Sequence, residues 1–411
     1  MILNTVKLGL VEFFISIIIM MISALIVGEI FQRLKLPALV GQILAGVIIG
    51  PSLLNVVQPS DSLKVITDLG VFFMMFIAGL ELKPDEIKKA GKNALLISSI
   101  AFIAPFLGGA AMASFLGLGM IPSLFVGLAL AITAVPVMAI VLMEFGMLKS
   151  KLGVTIMTAA VIDDIVSLIV LGVILQMAGS GHQEIDYSSL GFSVFKILIF
   201  LGGILLFDLA LRKTKYRLPS QVSKVLGKLK TREIGFGILL ISAFTLAVTA
   251  QIIGLHFIIG AFFAGLIIYH EVIGKENFER VSDVFSAVTF GLLAPIFFAF
   301  IGTEFNIQSI GKVLPLFVIL LAVAIMGKIG GGFVASKIAG FSNSESRLIG
   351  YLMNNRGMVE LVIASVGLQS KIIDITIFTV IVAIGFITTI MAPIMARIAL
   401  RRTIGSSDIK K

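Results

Sequence analysis

The sequence predicts an all-α polytopic membrane protein of about thirteen transmembrane helices, laid out as two six-helix repeats of opposite orientation. Three observations carry that expectation. The 411 residues are 58% hydrophobic and only 13% charged, with a mean hydropathy of +1.12; a globular chain carries roughly 25% charged residues. Apolar runs of about 16–27 residues follow one another with short polar connections, long enough to cross a hydrocarbon layer as helices. Two short patterns also recur in the same order at one offset, as a duplicated unit requires.

The runs centre near residues 20, 45, 74, 104, 132, 164, 200, 242, 262, 291, 325, 357 and 386. The first, roughly Leu8 to Phe31, is too long for a secretory signal and lacks a small-residue cleavage site. Between the seventh and eighth runs lies the longest polar insert, Arg212–Arg232, with Lys213, Lys215, Arg217, Lys224, Lys228 and Lys230. It is expected to lie on the membrane surface as an amphipathic helix. Basic residues collect in alternate loops: Arg33 and Lys35, then Lys88, Lys89 and Lys92, then Lys149 and Lys151, then the basic insert, then Arg401 and Arg402. The opposite loops carry little positive charge, so the N-terminus is expected outside and the C-terminus in the cytoplasm, in the cell membrane. This placement also accounts for the formal charge of +9 without a nucleic-acid partner. The chain has no cysteine, which excludes disulfides and thiolate metal sites, and His182, His256 and His270 are scattered. No cofactor is expected, and no Gly-x-x-x-x-Gly-Lys-Ser/Thr loop is present to bind a nucleotide.

The recurring patterns define the repeat. Leu36-Pro-Ala-Leu-Val-Gly-Gln-Ile-Leu-Ala-Gly46 matches Leu255-His-Phe-Ile-Ile-Gly-Ala-Phe-Phe-Ala-Gly265. Ile77-Ala-Gly-Leu-Glu-Leu82 matches Phe300-Ile-Gly-Thr-Glu-Phe305. Both pairs are separated by an odd number of spans, so the two copies run oppositely through the bilayer. Within a single membrane domain over 1–411, the first repeat is read as 1–178, a linker helix as 188–212 and the second repeat as 232–402. Inverted repeats of this kind are the architecture of alternating-access transporters, with broken helices framing a site near the midplane.

Polar residues at depth mark where that site is expected. Asp163 and Asp164 sit in the apolar run from Val154 to Leu175. Each ionised carboxylate there costs roughly 2.5–3.5 kcal/mol on insertion scales. A pair of them marks a proton relay or ion site, or else one half of a structural ion pair. Two basic residues fall equally deep, Lys328 and Arg356. The preceding run contains Thr133-Ala-Val-Pro136, where proline removes a backbone donor. Its repeat mate contains Met353-Asn-Asn-Arg356-Gly357-Met-Val-Glu360. Both stretches are candidate unwound crossings; the alternative is a kinked helix and a polar helix end.

Taken together in this order, Thr133–Pro136, Asp163-Asp164, Met326-Gly-Lys328-Ile-Gly-Gly and Asn355-Arg356-Gly357 resemble the monovalent cation:proton antiporters. The nearest likeness is to the NapA-type and spore-germination branch, with the membrane part of the Kef potassium efflux proteins related. The resemblance implies an NhaA/NapA-like fold with crossed broken helices and a homodimer in the lipid bilayer. It implies that Asp164 binds the alkali cation and the proton, that Thr133 and nearby carbonyls assist, and that Asp163 pairs with Lys328. Arg356, Glu360 and Pro136 would be accessory. Kef-type proteins carry Gln-Asp and a C-terminal nucleotide-binding domain, whereas this sequence carries Asp-Asp and ends at Lys411. Electroneutral members carry Asn-Asp and an arginine in place of the lysine. Asp-Asp with Lys328 therefore resembles the electrogenic sodium-exchanging branch, with potassium or lithium as further cations.

The residues themselves leave other classes open. An intramembrane aspartyl protease sets its two aspartates on separate helices, whereas neighbours on one helix point about 100° apart; a peptide-cleavage assay separates the two. A channel would pass currents beyond transporter rates. A sodium-coupled solute symporter would accumulate solute without moving protons. The antiporter reading makes the chain a transporter rather than an enzyme.

Overall fold

The computed structural model describes residues 2–34, 36–80, 91–134, 138, 141–142, 147, 150–179, 195, 199–200, 202–203, 206, 234–253, 255–267 and 275–405. Every regular element among the described residues is helical. In chain order these are α1 (Ile2–Arg33), α2 (Ala38–Ile49), α3 (Asp61–Leu80), α4 (Gly91–Phe115), α5 (Met120–Ala131), α6 (Lys151–Gly179), α7 (Ile234–Ile252) and α8 (Phe257–Ile267). There follow α9 (Lys275–Val288), α10 (Ala294–Glu304), α11 (Ile307–Lys312), α12 (Leu314–Ile338), α13 (Asn343–Met353), α14 (Met358–Gln369) and α15 (Ile375–Gly405). A π-turn over Thr289–Leu293 joins α9 to α10. Pro295 has no N–H to offer Gly291, and the N–H of Ala294 reaches back five residues to the Thr289 carbonyl.

Seven described helices are long and apolar enough to cross a membrane: Leu10–Arg33, Asp61–Leu80, Gly91–Phe115, Lys151–Ala178, Ser282–Glu304, Leu314–Ile338 and Ile375–Leu400. Several runs expected as full spans are shorter pieces. Ala38–Ile49, Met120–Ala131, Leu239–Ile252 and Phe257–Ile267 are apolar but brief. A 12-residue helix such as α2 reaches only about 18 Å, against roughly 30 Å of hydrocarbon. Pro37 precedes α2, and Gly50-Pro51 ends it. The run near residue 357 is divided outright into α13 and α14. Nearly all of the expected linker helix, the basic insert, Pro136, His182 and His270 lie outside the described residues.

The chain forms two compact units. One comprises Met1–Leu63, Asp85–Leu171 and Phe298–Lys411; the other comprises Lys64–Pro84 and Gly172–Phe297. Each unit contains a close helix crossing made by glycine. In the first, a Cβ on Gly46 of α2 would lie 1.9 Å from the Ala299 carbonyl oxygen, and one on Gly302 of α10 would lie 2.2 Å from that of Ile43. In the second, a Cβ on Gly265 of α8 would lie 2.0 Å from the Phe76 carbonyl oxygen, and one on Gly79 of α3 would lie 2.0 Å from that of Phe262. Backbones this close leave no space for any side chain. Gly46→Ala must push α2 from α10, and overpacking of this kind costs about 1–3 kcal/mol. The expected result is a lower melting temperature in detergent, with Gly265→Ala giving a comparable loss at the other crossing.

The first unit also explains the glycines around Lys328. On α12, a Cβ at Gly327 would meet Pro105 of α4 at 2.9 Å, and one at Gly331 would meet the Ile100 carbonyl at 3.0 Å. On another face, a Cβ at Gly332 would meet Gly350 of α13 at 3.0 Å. Helix α12 is therefore held tightly against both α4 and α13, and Lys328 between these contacts is fully buried. An apolar cluster including Ile97, Ile156, Ile349 and Leu400 packs α4, α6, α13 and α15 together.

Candidate functional site

Two helix interruptions meet in the first unit. Helix α5 stops at Ala131 and Ile132 is extended, with φ −70° and ψ 149°. Helix α13 stops at Met353, and α14 begins after the extended Gly357. The two open stretches exchange hydrogen bonds. The Ala134 N–H donates to the Asn355 carbonyl at 2.9 Å, and the Asn355 side-chain amide donates to the Ala134 carbonyl at 3.0 Å. This pairing satisfies backbone groups that lipid could not.

Helix ends expose unpaired carbonyls and N–H groups, with partial charges of opposite sign. Fully buried Arg356 meets one such end. Its Nη1 donates to the Ala129 carbonyl at 2.8 Å and its Nη2 to the Leu130 carbonyl at 2.6 Å. Nη1 also pairs with Glu360 Oε1 at 2.7 Å. Glu360 lies in the first turn of α14, where a negative charge suits the helix N-terminus. Gly385 makes room for that carboxylate, since a Cβ there would lie 2.8 Å from Oε2. The Thr389 hydroxyl donates to the Arg356 carbonyl at 2.8 Å. Arg356 thus ties α5, α14 and α15 together. Lysine cannot span both carbonyls and the carboxylate, because its ammonium is a point charge rather than a fork. Arg356→Lys is expected to lower stability by about 1.5–3 kcal/mol, the worth of one charged hydrogen bond, read as a fall in melting temperature.

The aspartates stand on α6. Asp163 is completely enclosed, whereas Asp164 keeps 5% of its surface exposed. Lys328 Nζ lies 2.9 Å from Asp163 Oδ2, and both groups are buried. The Thr133 hydroxyl donates to the same Oδ2 at 2.7 Å and accepts from Lys328 Nζ at 2.5 Å. The Met353 carbonyl, 3.4 Å from Thr133 Oγ1, is the weaker of two acceptors for that single proton. Asp163 Oδ1 accepts from the Ser98 hydroxyl of α4 at 2.5 Å. One carboxylate is therefore held by α4, α12 and the open end of α5. The structure brings Asp163, Thr133 and Lys328 into one network, with Asp164 adjacent on the helix. Arg356 and Glu360 form a second network. The Asn355–Ala134 pairing links the open stretches that carry the two.

Sequence reasoning missed Ser98. Its signal was faint: Ser98-Ser99 are a polar pair within the apolar α4, and helical serines commonly bond back to their own helix. Among the described residues no group of three or more His, Cys, Asp or Glu side chains could hold a metal ion in the manner of a resident metal site.

A helical membrane protein with buried, paired charges at two broken helices belongs to the class of ion-coupled transporters. Comparison with known proteins makes the class specific. Residues 17–402 match the family model described as sodium/hydrogen exchanger, transmembrane, and the chain belongs to that family. It is 31% identical over 377 residues to the probable Na(+)/H(+) antiporter 3 of Methanocaldococcus jannaschii, covering 90% of this chain and 92% of the relative. It is 29% identical over 398 residues to the Na(+)/H(+)-K(+) antiporter GerN of Bacillus cereus, covering 97% of each. Its fold is similar to the structure of the sodium proton antiporter MjNhaP1 from Methanocaldococcus jannaschii at pH 8. That likeness has a TM-score of 0.69 at 18% identity and covers 95% of this chain and 99% of the other.

Proposed function

We propose that this protein exchanges Na+ for H+ across the cell membrane by alternating access, electrogenically and without ATP. The observation that carries the reading is the buried Asp163–Lys328–Thr133 network beside Asp164, set where two broken helices meet. Asp164 is the proposed site for cation and proton in turn, because it alone of the α6 pair keeps any exposed surface. Either species supplies the compensating positive charge, so the two compete, and that competition is the coupling. Thr133 contributes oxygen, a hard ligand suited to an alkali cation. Cation entry releases Lys328 from Asp163; Lys328 then gives up a proton, while Asp164 gives up another. Two protons per cation make each cycle carry charge. Arg356 and Glu360 hold the crossing together as accessory groups.

Lithium and potassium are proposed as further cations, and the likeness to the Na(+)/H(+)-K(+) antiporter GerN supports potassium among them; the second reading is a K+/H+ antiporter or a Kef-like potassium efflux protein. Two inverted repeats, 1–178 and 232–402 about a linker at 188–212, are supported by the glycine crossings. Gly46 of α2 stands to Ala299 as its counterpart Gly265 stands to Phe76, and Gly302 stands to Ile43 as Gly79 stands to Phe262. These pairs correspond position by position under the recurring sequence patterns. A homodimer with the N-terminus outside and the C-terminus in the cytoplasm completes the proposal; the Lys/Arg asymmetry of the loops supports the orientation.

The test is a pH-sensitive dye inside proteoliposomes held at fixed voltage, with sodium, potassium and lithium added in turn. Sodium-driven proton movement that generates current is expected. Potassium-only exchange selects the second reading, and current without proton movement rejects both.

A further inference from the structure

Asn354 caps the end of α13 with its backbone, its N–H donating to the Gly350 and Leu352 carbonyls. Its side chain is fully buried, and among the described residues neither Oδ1 nor Nδ2 has a hydrogen-bond partner. Asn355 is 1% exposed and commits its Nδ2 to the Ala134 carbonyl, and its Oδ1 has no donor among the described residues. Two consecutive amides therefore hold two unmatched oxygens at the interruption between α13 and α14. Buried polar atoms almost always find partners, because leaving them without one costs the hydration they gave up. A leucine of similar size would avoid that cost at position 354, so packing alone does not account for an asparagine there.

The neighbours show what the amides lie beside. On one side of Asn354, the Met353 carbonyl is 3.4 Å from Thr133 Oγ1. On the other, the Asn355 backbone carbonyl accepts from the Ala134 N–H at 2.9 Å. Thr133 in turn touches both Asp163 and Lys328. Amide oxygens are hard, neutral ligands that mimic hydration water for an alkali cation. They differ from a carboxylate in one decisive respect: near neutral pH an amide binds a metal cation and takes no proton. Amides that share a cation with a carboxylate would favour the metal ion in its contest with H+.

We infer that Asn354, with Asn355 Oδ1 at the adjoining position, ligates the transported alkali cation and sets its selectivity by replacing part of the hydration shell. The inference rests on the cation/proton exchange proposed above. Asn354→Leu is expected to raise the half-saturating sodium concentration about tenfold, equivalent to about 1.4 kcal/mol, and to change the ratio of sodium, lithium and potassium transport. Its melting temperature in sodium-free buffer is expected to match or exceed that of the unaltered protein, since two unmatched polar atoms are gone. Asn354→Ser, a smaller change, is expected to give a lesser shift in the same direction and serves if the leucine variant does not fold. A folded variant with unaltered half-saturation and unaltered selectivity overturns the inference, whatever its stability. Sodium protection separates this failure from that of the exchange reading. Purified protein is melted in sodium chloride and in choline chloride; protection of the unaltered chain that is lost in Asn354→Leu supports ligation even if no exchange is seen. Equal protection of both overturns it.

Discussion

Asp164→Asn is expected to abolish sodium-driven proton movement in proteoliposomes while the protein still folds. Asparagine matches the aspartate in size, so the packing of α6 stays. What disappears is the negative charge that a cation and a proton would neutralise in turn. An amide there could still touch sodium, yet it could release no proton in exchange, so the coupling goes even if some binding remains. Asp164 is the proposed ion site because Asp163 is enclosed, with one oxygen held by Ser98 and the other by Thr133 and Lys328. A melting curve like that of the unaltered protein, together with a flat dye trace, is the expected pair of readings. Normal exchange would reject Asp164 as the ion site.

Lys328→Ala has two effects, one on the fold and one on the current. Removing one partner of a buried ion pair costs about 3–5 kcal/mol, because the other charge stays behind uncompensated. Among the described residues Asp163 keeps the hydroxyls of Ser98 and Thr133, and the space left between α4 and α12 adds a cavity penalty. A marked fall in melting temperature is therefore expected. Protein that does fold is expected to exchange with less dependence on voltage, or to be inactive, since the proposed carrier of the second proton is gone. Lys328→Arg separates the two effects. It restores positive charge beside Asp163 but cannot give up a proton, because a guanidinium stays protonated. Electrogenic transport by Lys328→Ala would remove the lysine from the proton pathway.

Much of the candidate site was legible in the sequence because charge at depth is conspicuous. Asp163, Asp164, Lys328 and Arg356 stand out from apolar runs, and residues so costly to insert invite the search for partners among themselves. The short helices were harder to read. A hydrophobic run that continues past a break looks like one uninterrupted span, so the run near residue 132 concealed the extended segment at Ile132. The stretch near residue 357 was more readable, since Asn354-Asn355-Arg356-Gly357 is polar where lipid-facing helix would be apolar. Partners distant in the chain were not readable at all. Nothing in the composition of α4 points Ser98 at Asp163, and Arg356 reveals its hold on the Ala129 and Leu130 carbonyls only in three dimensions.

The two buried networks also bear on the charge that the site carries. Among the described residues the fully or almost fully enclosed ionisable groups are two bases, Lys328 and Arg356, and three acids, Asp163, Asp164 and Glu360. Counted as ionised, they leave a surplus of one negative charge, which one proton on Asp164 would cancel. In the cycle proposed above sodium arrives as Lys328 gives up its own proton, and the sodium-loaded set would keep one negative charge. Net charge is costly in an apolar medium, so the sodium-carrying step is the one expected to be slower and to feel the membrane potential.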